Sequence, residues 1–310
     1  MKQYSDERKR ELIAKAEDLA KELGSMSKVC DLTGIKPAVM SGLRSGKYTG
    51  NVDAQCEVLE AYFGAREEAA ELDAGNAVGE YVPTSISENV YAIIRNCQLK
   101  GGLAIACGDA GVGKTKAAEK FVADNPNLAI MITVNPCLKG IKSVLKLLGE
   151  QLDAGGKTID DMWLEIADRL RDKMVIIFDE AQHLPIKTIE SLRAFSDYFA
   201  AKGQTLGIVF IGNIEAVHNF AGNKRADFAQ IVNRTKQNRQ YYSKQITKKD
   251  IELLFPALAG KAPELELLHK IAQSRQALRG ATNLFSNASD NENITYDGLI
   301  AMAKEMQMAI

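Results

Sequence analysis

The chain predicts an α/β fold, a parallel sheet followed by a helical lid and preceded by an all-α helix-turn-helix domain. Short apolar strand candidates alternate with longer helical patterns through the middle of the chain, as is typical of a parallel sheet covered by helices. The last part of the chain has only helical periodicity, and so does the first. The predicted units are a helix-turn-helix domain at 1–64, a linker at 65–84, an α/β core at 85–246 and a helical lid at 247–310.

The first unit contains a helix-turn-helix pattern in MSKVCDLTGIKPAVMSGLRSGK, residues 26–47. Gly34 occupies the turn, where a positive φ is needed, and Pro37 suits the first turn of the second helix. That helix would present polar side chains to DNA, and the candidate contacts are Lys36, Ser41, Arg44 and Lys47. A small helical oligomerisation or docking module fits the same pattern.

The segment GAREEAAELDAGNAVGE, residues 64–80, is acidic and rich in Gly and Ala. This composition indicates a linker between the two folded parts.

Four apolar runs in the core are the strand candidates, and each is almost continuously hydrophobic. Such runs are expected where strands are buried on both faces of a parallel sheet. The runs are LAIAC (103–107), LAIMITV (128–134), MVIIFD (174–179) and LGIVFIG (206–212).

The sequence GDAGVGKT, from Gly108 to Thr115, fits the phosphate-loop pattern GxxxxGK[ST] and stands between a strand and a helix. Its glycines allow backbone N–H groups to turn toward phosphates, Lys114 can reach the outer phosphates, and the Thr115 hydroxyl can join the Mg²⁺ shell. ATP and Mg²⁺ are therefore the expected cofactors. The predicted nucleotide-binding residues are Gly108, Asp109, Ala110, Gly111, Val112, Gly113, Lys114, Thr115 and Lys116.

Two further strand ends carry polar residues. In VIIFDE the apolar run delivers Asp179 to the position of a Mg²⁺-holding carboxylate, and the adjacent Glu180 can act as general base on the attacking water. Asn213 ends LGIVFIGN and can orient that water or sense the γ-phosphate, although an ordinary turn also fits Gly-Asn. The combination predicts ATP hydrolysis.

Composition excludes several other classes of protein. The net charge of -1 argues against a wholly basic nucleic-acid coat, and five cysteines without a CxxC pair predict neither disulfides nor a zinc site. This cysteine usage indicates a reducing cytosol, and the longest apolar runs fall well short of the roughly 20 residues of a membrane span. One local asymmetry stands out, because residues 222–249 carry eight basic side chains and one acidic one.

These motifs resemble the AAA+ superfamily, with GDAGVGKT as Walker A, VIIFDE as Walker B and IGN as sensor 1. The resemblance implies an arginine finger supplied by a neighbouring subunit, for which Arg234 is the first candidate and Arg225 the second. It also implies a sensor 2 arginine in the lid, where SRQALRGATNL offers Arg279 as the first candidate and Arg275 as the second.

The order of the modules resembles the phage Mu transposition protein B family, across nearly the whole chain. That resemblance implies an ATP-dependent protein of the bacterial host's cytoplasm that binds double-stranded DNA with little sequence specificity. It further implies a helical homo-oligomeric filament, target capture and a partner transposase. Lys139 and Lys142 are candidate phosphate contacts inside such a filament, and the 222–249 excess could serve the subunit interface, the DNA surface or both.

Two other functions remain open at this point. A helicase loader or TniB-like adaptor would recruit a different enzyme to DNA. A helix-turn-helix transcription regulator would use the ATP site only as a switch.

Overall fold

The computed structural model describes residues 3–75, 81–213 and 235–308. The chain divides into two compact units, Met1–Ala77 and Val78–Ile310. The division falls inside the segment predicted as a linker.

The N-terminal unit is a bundle of helices. Its described elements are α1 (Asp6–Leu23), α2 (Met26–Thr33), α3 (Pro37–Arg44) and α4 (Val52–Gly75). Gly34 adopts the left-handed conformation at φ 73° between α2 and α3, as the helix-turn-helix pattern predicts. Leu12, Val29, Met40 and Leu59 are fully buried and form one core from all four helices.

Helix α4 continues into the predicted linker. The structure differs from the expectation over residues 65–75, which are helical to Gly75. The alanines and glutamates that indicated a linker are also strong helix formers, so the composition is compatible with both states.

The second unit is built on a five-stranded sheet with the order β2-β3-β4-β1-β5, and all of its strand pairs are parallel. The strands are β1 (Gly102–Gly108), β2 (Ala129–Thr133), β3 (Met174–Asp179), β4 (Leu206–Gly212) and β5 (Thr235–Tyr241). The four predicted strands are therefore confirmed. β5 was missed because TKQNRQY is polar and half exposed, which an edge strand tolerates.

Helices cover both faces of this sheet, and a second group of helices follows it. The first group is α5 (Ser85–Lys100), α6 (Lys114–Asp124), α7 (Ile141–Leu152), α8 (Ile159–Arg169) and α9 (Ile186–Ala201). The second group is α10 (Lys248–Leu254), α11 (Ala262–Ala272), α12 (Ala277–Asp290) and α13 (Tyr296–Glu305).

The side chains of β1 alternate between the two faces, as strand geometry requires. Ala104 packs into the core shared with Phe121 of α6, whereas Ile105 packs into the core shared with Leu145 of α7 and Phe195 of α9. Burial on both faces explains the continuous apolar runs.

The carboxyl ends of three neighbouring strands lie at one edge of the sheet. Phe178 pairs with Phe210, and Cys107 pairs with Gly212, so β3, β4 and β1 end together. Asp179, Asn213 and the loop after Gly108 are brought to that edge, where ligands of open parallel sheets bind.

Candidate nucleotide site

The phosphate loop leaves β1 at Gly108 and enters α6 at Lys114. Gly111 and Gly113 have φ values of 76° and 98°, a region that side chains other than glycine rarely adopt. At Gly108 a Cβ atom would lie 2.0 Å from the Tyr241 carbonyl oxygen, so only glycine fits. The loop thus turns tightly into a helix N-terminus, where backbone N–H groups favour an anion.

Lys114 folds back over this loop. Its Nζ donates to the carbonyl oxygens of Gly108 and Asp109, at 3.1 and 2.7 Å, and only 7% of the residue is exposed. Burial lowers the pKa of the Lys114 amine, while the nearby Asp179 carboxylate opposes that shift. A phosphate bound at the loop would therefore contact a Lys114 ammonium group that is largely shielded from water.

Thr115 and Asp179 form the second half of the site. The Thr115 hydroxyl donates to Asp179 Oδ2 over 3.0 Å, and Asp179 is 3% exposed. Burial raises the pKa of the Asp179 carboxyl, and the hydrogen bond from Thr115 opposes that shift. A hydroxyl and a carboxylate are hard oxygen donors that fit Mg²⁺, which takes one or two protein ligands and completes its shell with phosphates and water.

No cluster of three or more His, Cys, Asp or Glu side chains suited to a metal occurs in the parts of the chain that the structure describes.

Glu180 follows Asp179 in the left-handed conformation, at φ 54°. Its Oε2 accepts a hydrogen bond from Nε2 of Gln182, and Oε1 of Gln182 accepts from the Asn213 backbone N–H at 3.2 Å. The candidate base and the candidate sensor therefore meet through one amide. Gln182 was not singled out from the sequence, although it lies within the same VIIFDEAQHL motif.

Asp109 is held away from the centre of the loop. Its N–H donates to the Tyr241 carbonyl at 2.8 Å, and its Oδ2 accepts from the Ser243 N–H at 2.7 Å. The two groups are thus engaged with the end of β5 and with the turn that follows it, and these contacts fix the loop. Among the other predicted loop residues, Val112 is buried in the core and Lys116 is exposed, 3.0 Å from Glu119.

Arg279 lies at the phosphate loop. Its backbone N–H donates to the Gly111 carbonyl over 3.2 Å, in the first turn of α12. The structure therefore brings the sensor 2 candidate beside the loop, with its side chain exposed. The finger candidates Arg234 and Arg225 lie outside the described residues.

A buried carboxylate connects the start of α5 with the start of α10. Asp250 of α10 is 2% exposed; its Oδ1 accepts from the N–H and hydroxyl of Ser85, and its Oδ2 accepts from the N–H and hydroxyl of Thr247. Burial acts to raise the pKa of Asp250, but these four hydrogen bonds outweigh it and hold the pKa below 3.8. No local sequence pattern indicates this contact, since Asp250 and Ser85 are far apart in the chain.

The candidate DNA contacts of the N-terminal unit are exposed on and around α3. Lys36 is the N-cap of that helix, and Ser41, Arg44 and Lys47 are exposed on it or just after it. Arg44 is also paired with Glu17 of α1, with Nε 2.7 Å from Oε1. The charge of Arg44 is thus partly compensated by Glu17, a pairing that the helix-turn-helix pattern did not predict.

In the second unit, Lys139 and Lys142 are exposed at the start of α7. The Lys139 carbonyl accepts from the Thr188 hydroxyl at 3.3 Å, which fixes the backbone there. Of the basic stretch 222–249, only residues 235–249 are described.

The geometry at the carboxyl ends of β1, β3 and β4 is that of a nucleotide site, and a family comparison agrees. The family model of an AAA domain matches residues 98–220, which include the phosphate loop, Asp179, Glu180 and Asn213. The chain therefore contains an AAA domain, and it is an ATPase.

Curated relatives of this ATPase confirm the resemblance to phage Mu transposition protein B. The "ATP-dependent target DNA activator B" of Escherichia phage Mu is 28% identical over 253 residues, covering 80% of this chain and 77% of that protein. The "Mu-like prophage FluMu DNA transposition protein B" of Haemophilus influenzae is 23% identical over 269 residues, covering 84% and 90%.

Solved structures confirm the fold of the ATPase. Cdc6p from Pyrobaculum aerophilum matches with a TM-score of 0.53 at 16% identity, covering 73% of this chain and 69% of that one. The ORC2 protein of Aeropyrum pernix matches with a TM-score of 0.51 at 14% identity, over the same shares. Within residues 3–75, 81–213 and 235–308, every helix is too short or too polar to span a bilayer.

Proposed function

We propose that this AAA ATPase binds ATP with Mg²⁺, assembles as a helical filament on double-stranded DNA of almost any sequence, and delivers that DNA to a transposase in the cytoplasm of a bacterial host. The observation that carries the proposal is the contact of Thr115 with Asp179 beside Glu180, in a chain similar to a target DNA activator along 80% of its length. The contact supports ATP hydrolysis, and the similarity supports a role for that hydrolysis in delivering target DNA.

Each residue of the site has a proposed task. The Lys114 amine exchanges its contacts with the Gly108 and Asp109 carbonyls for phosphate oxygens. Thr115 and Asp179 hold Mg²⁺, which supplies positive charge to the phosphates when it is bound. Glu180 takes a proton from the attacking water, whose oxygen bonds to the γ-phosphorus as the bond to the ADP oxygen breaks.

The filament is proposed to depend on the bound nucleotide. Arg234, or alternatively Arg225, of one subunit reaches the γ-phosphate in its neighbour, and Arg279 contacts the same nucleotide from the lid. Hydrolysis removes the γ-phosphate and with it the contact between subunits. ATP therefore times how long the protein stays on DNA.

Two surfaces are proposed to contact DNA. The exposed Lys36, Ser41 and Lys47 surround α3, and Lys139 and Lys142 lie at the start of α7. Contacts of this kind to phosphates position a protein without reading sequence, and they weaken with salt.

Electron microscopy of negatively stained protein tests assembly. Protein mixed with duplex DNA of arbitrary sequence should form filaments with ATP and dissociate with ADP. Separate particles in every nucleotide state would contradict the proposal.

The ATPase rate tests the partner. It should rise with DNA, and rise further with DNA plus a transposase encoded beside this protein. A replicative helicase that gives the same synergy, with no effect of the transposase, would instead favour a loader.

A further inference from the structure

The side chain of Gln182 lies between the candidate base and the end of β4. It donates through Nε2 to Glu180 Oε2, and it accepts through Oε1 from the Asn213 N–H at 3.2 Å. We infer that Gln182 is a positioning residue for hydrolysis, which holds the Glu180 carboxylate in register with the end of β4. The inference rests on the proposed role of Glu180.

An amide side chain suits both contacts. A carboxylate can only accept, and the Asn213 backbone N–H can only donate, so the group between them must donate at one end and accept at the other. Among side chains, an amide meets both needs at once, and its orientation is fixed by the two partners. Glutamate at this position would keep the acceptor but lose the donor.

The fold of the turn does not depend on this side chain. The His183 N–H donates to the Glu180 carbonyl at 3.1 Å, and the Leu184 N–H donates to the Ala181 carbonyl at 3.0 Å. Ala181 and Leu184 are buried, at 1% and 4% exposure. Backbone hydrogen bonds and packing therefore hold the turn, which leaves the half-buried Gln182 free to serve the carboxylate.

The contact connects Glu180 with the sheet edge. β4 lies between β3 and β1, with Phe210 paired to Phe178 and Gly212 paired to Cys107. The N–H of Asn213 is thus fixed relative to both the phosphate loop and Asp179. Holding Glu180 at a fixed position favours its contact with one water molecule, because general-base catalysis depends on hydrogen-bond geometry.

Three variants test the inference in the full-length protein: Gln182→Ala, Gln182→Glu and Glu180→Gln. ATP turnover is measured against ATP concentration and pH in the presence of DNA. For Gln182→Ala we expect kcat to fall by about 10-fold with KM unchanged, since the base is loosened and the phosphate loop is not. A residue needed only for folding would instead lower the melting temperature.

For Gln182→Glu we expect the acid limb of the kcat profile to move to higher pH. Two adjacent carboxylates disfavour the doubly ionised state, so a proton is retained at higher pH. A merely structural role predicts no such movement. Gln204→Ala, on an exposed residue just before β4 at the opposite end of that strand, is the matched control.

Wild-type kcat and pH profiles in both Gln182 variants would overturn the inference, provided that Glu180→Gln is inactive. Wild-type turnover in Glu180→Gln would overturn the proposed role of Glu180 and this inference with it. The two failures are thus distinguishable.

Discussion

The Thr115 hydroxyl lies 3.0 Å from Asp179 Oδ2 and donates a hydrogen bond to it. Thr115 follows β1, and Asp179 ends β3, with β4 between these strands. Parallel pairing brings both residues to one edge of the sheet. The candidate ligand pair for Mg²⁺ is therefore brought together by the fold itself.

Lys114→Ala should abolish stabilisation by ATP. ATP at 100 times its Kd stabilises a protein by about 2.7 kcal/mol, and the variant lacks the cation that meets the phosphates. Melting temperature with and without Mg²⁺ and ATP measures the effect. Lys120→Ala, on the same helix and paired with Asp124 at 2.5 Å, is the control that should respond like the wild type. Equal filament formation on DNA by Lys114→Ala would contradict the nucleotide-timed mechanism.

Asp179→Asn should stabilise the protein without nucleotide while removing the gain from Mg²⁺ and ATP. Burial raises the pKa of this carboxyl, so its ionised form costs folding free energy at neutral pH. A neutral amide avoids that cost. We expect the free energy of unfolding to rise by about 1 kcal/mol, which is typical when a residue kept for function is replaced. Thermal unfolding of both proteins measures it.

The pH dependence supplies a check on that explanation. A raised pKa means that Asp179 contributes most favourably when protonated, and this contribution is lost as pH rises through a value above 3.8. The advantage of Asp179→Asn should therefore be largest near neutral pH and shrink toward pH 3.8. Thermal unfolding of the wild type and Asp179→Asn across this pH range measures the trend.

Glu180→Gln should separate binding from hydrolysis. The amide retains the size of the side chain but cannot accept the proton of water, so turnover should fall by at least about 100-fold. Nucleotide affinity should be kept, and filaments formed with ATP should persist on DNA. Filament lifetime by light scattering measures this, and rapid disassembly with ATP would count against Glu180 as the base.

Much of the site could be predicted because its signals are local. GDAGVGKT dictates its own turn through three glycines, and the strand that ends on Asp179 is an unbroken apolar run. Site residues that lie within such local motifs can be predicted from the sequence alone.

The remainder depended on contacts between distant residues. β5 is a polar edge strand, so its sequence has no apolar run, and Asp250 meets Ser85 only after the chain has folded. Composition also misled, because the Ala- and Glu-rich stretch after residue 64 is helical to Gly75. Each miss reflects tertiary contacts or an ambiguous composition.

Lys36→Ala and Lys47→Ala should each weaken binding to any duplex and lower the salt dependence. A lost phosphate contact reduces the slope of log K against log salt by about 1, without changing sequence preference. Fluorescence anisotropy at several salt concentrations measures the slope. Lys21→Ala removes an equal charge from the end of α1, where Nζ pairs with Asp18, and should leave the slope unchanged. Unaltered slopes in both test variants would assign DNA contact to another surface.

Asp250→Ala should destabilise the second unit, because it leaves buried N–H and hydroxyl groups of Ser85 and Thr247 without their acceptor. Hydrogen bonds to a buried charge are strong, and we expect a loss of about 3 kcal/mol in the free energy of unfolding. Denaturant unfolding measures it, with Glu252→Ala on the exposed face of α10 as the control.

The pH dependence of this loss follows from the carboxylate that accepts those bonds. The pKa of Asp250 is held below 3.8, so its stabilising contribution is present above that value and is lost as pH falls through the folded-state pKa. The difference between the wild type and Asp250→Asn should therefore be constant near neutral pH and close in strong acid. If the difference in the free energy of unfolding stays constant into strong acid, the shape of the side chain and not its charge is responsible for the stabilisation.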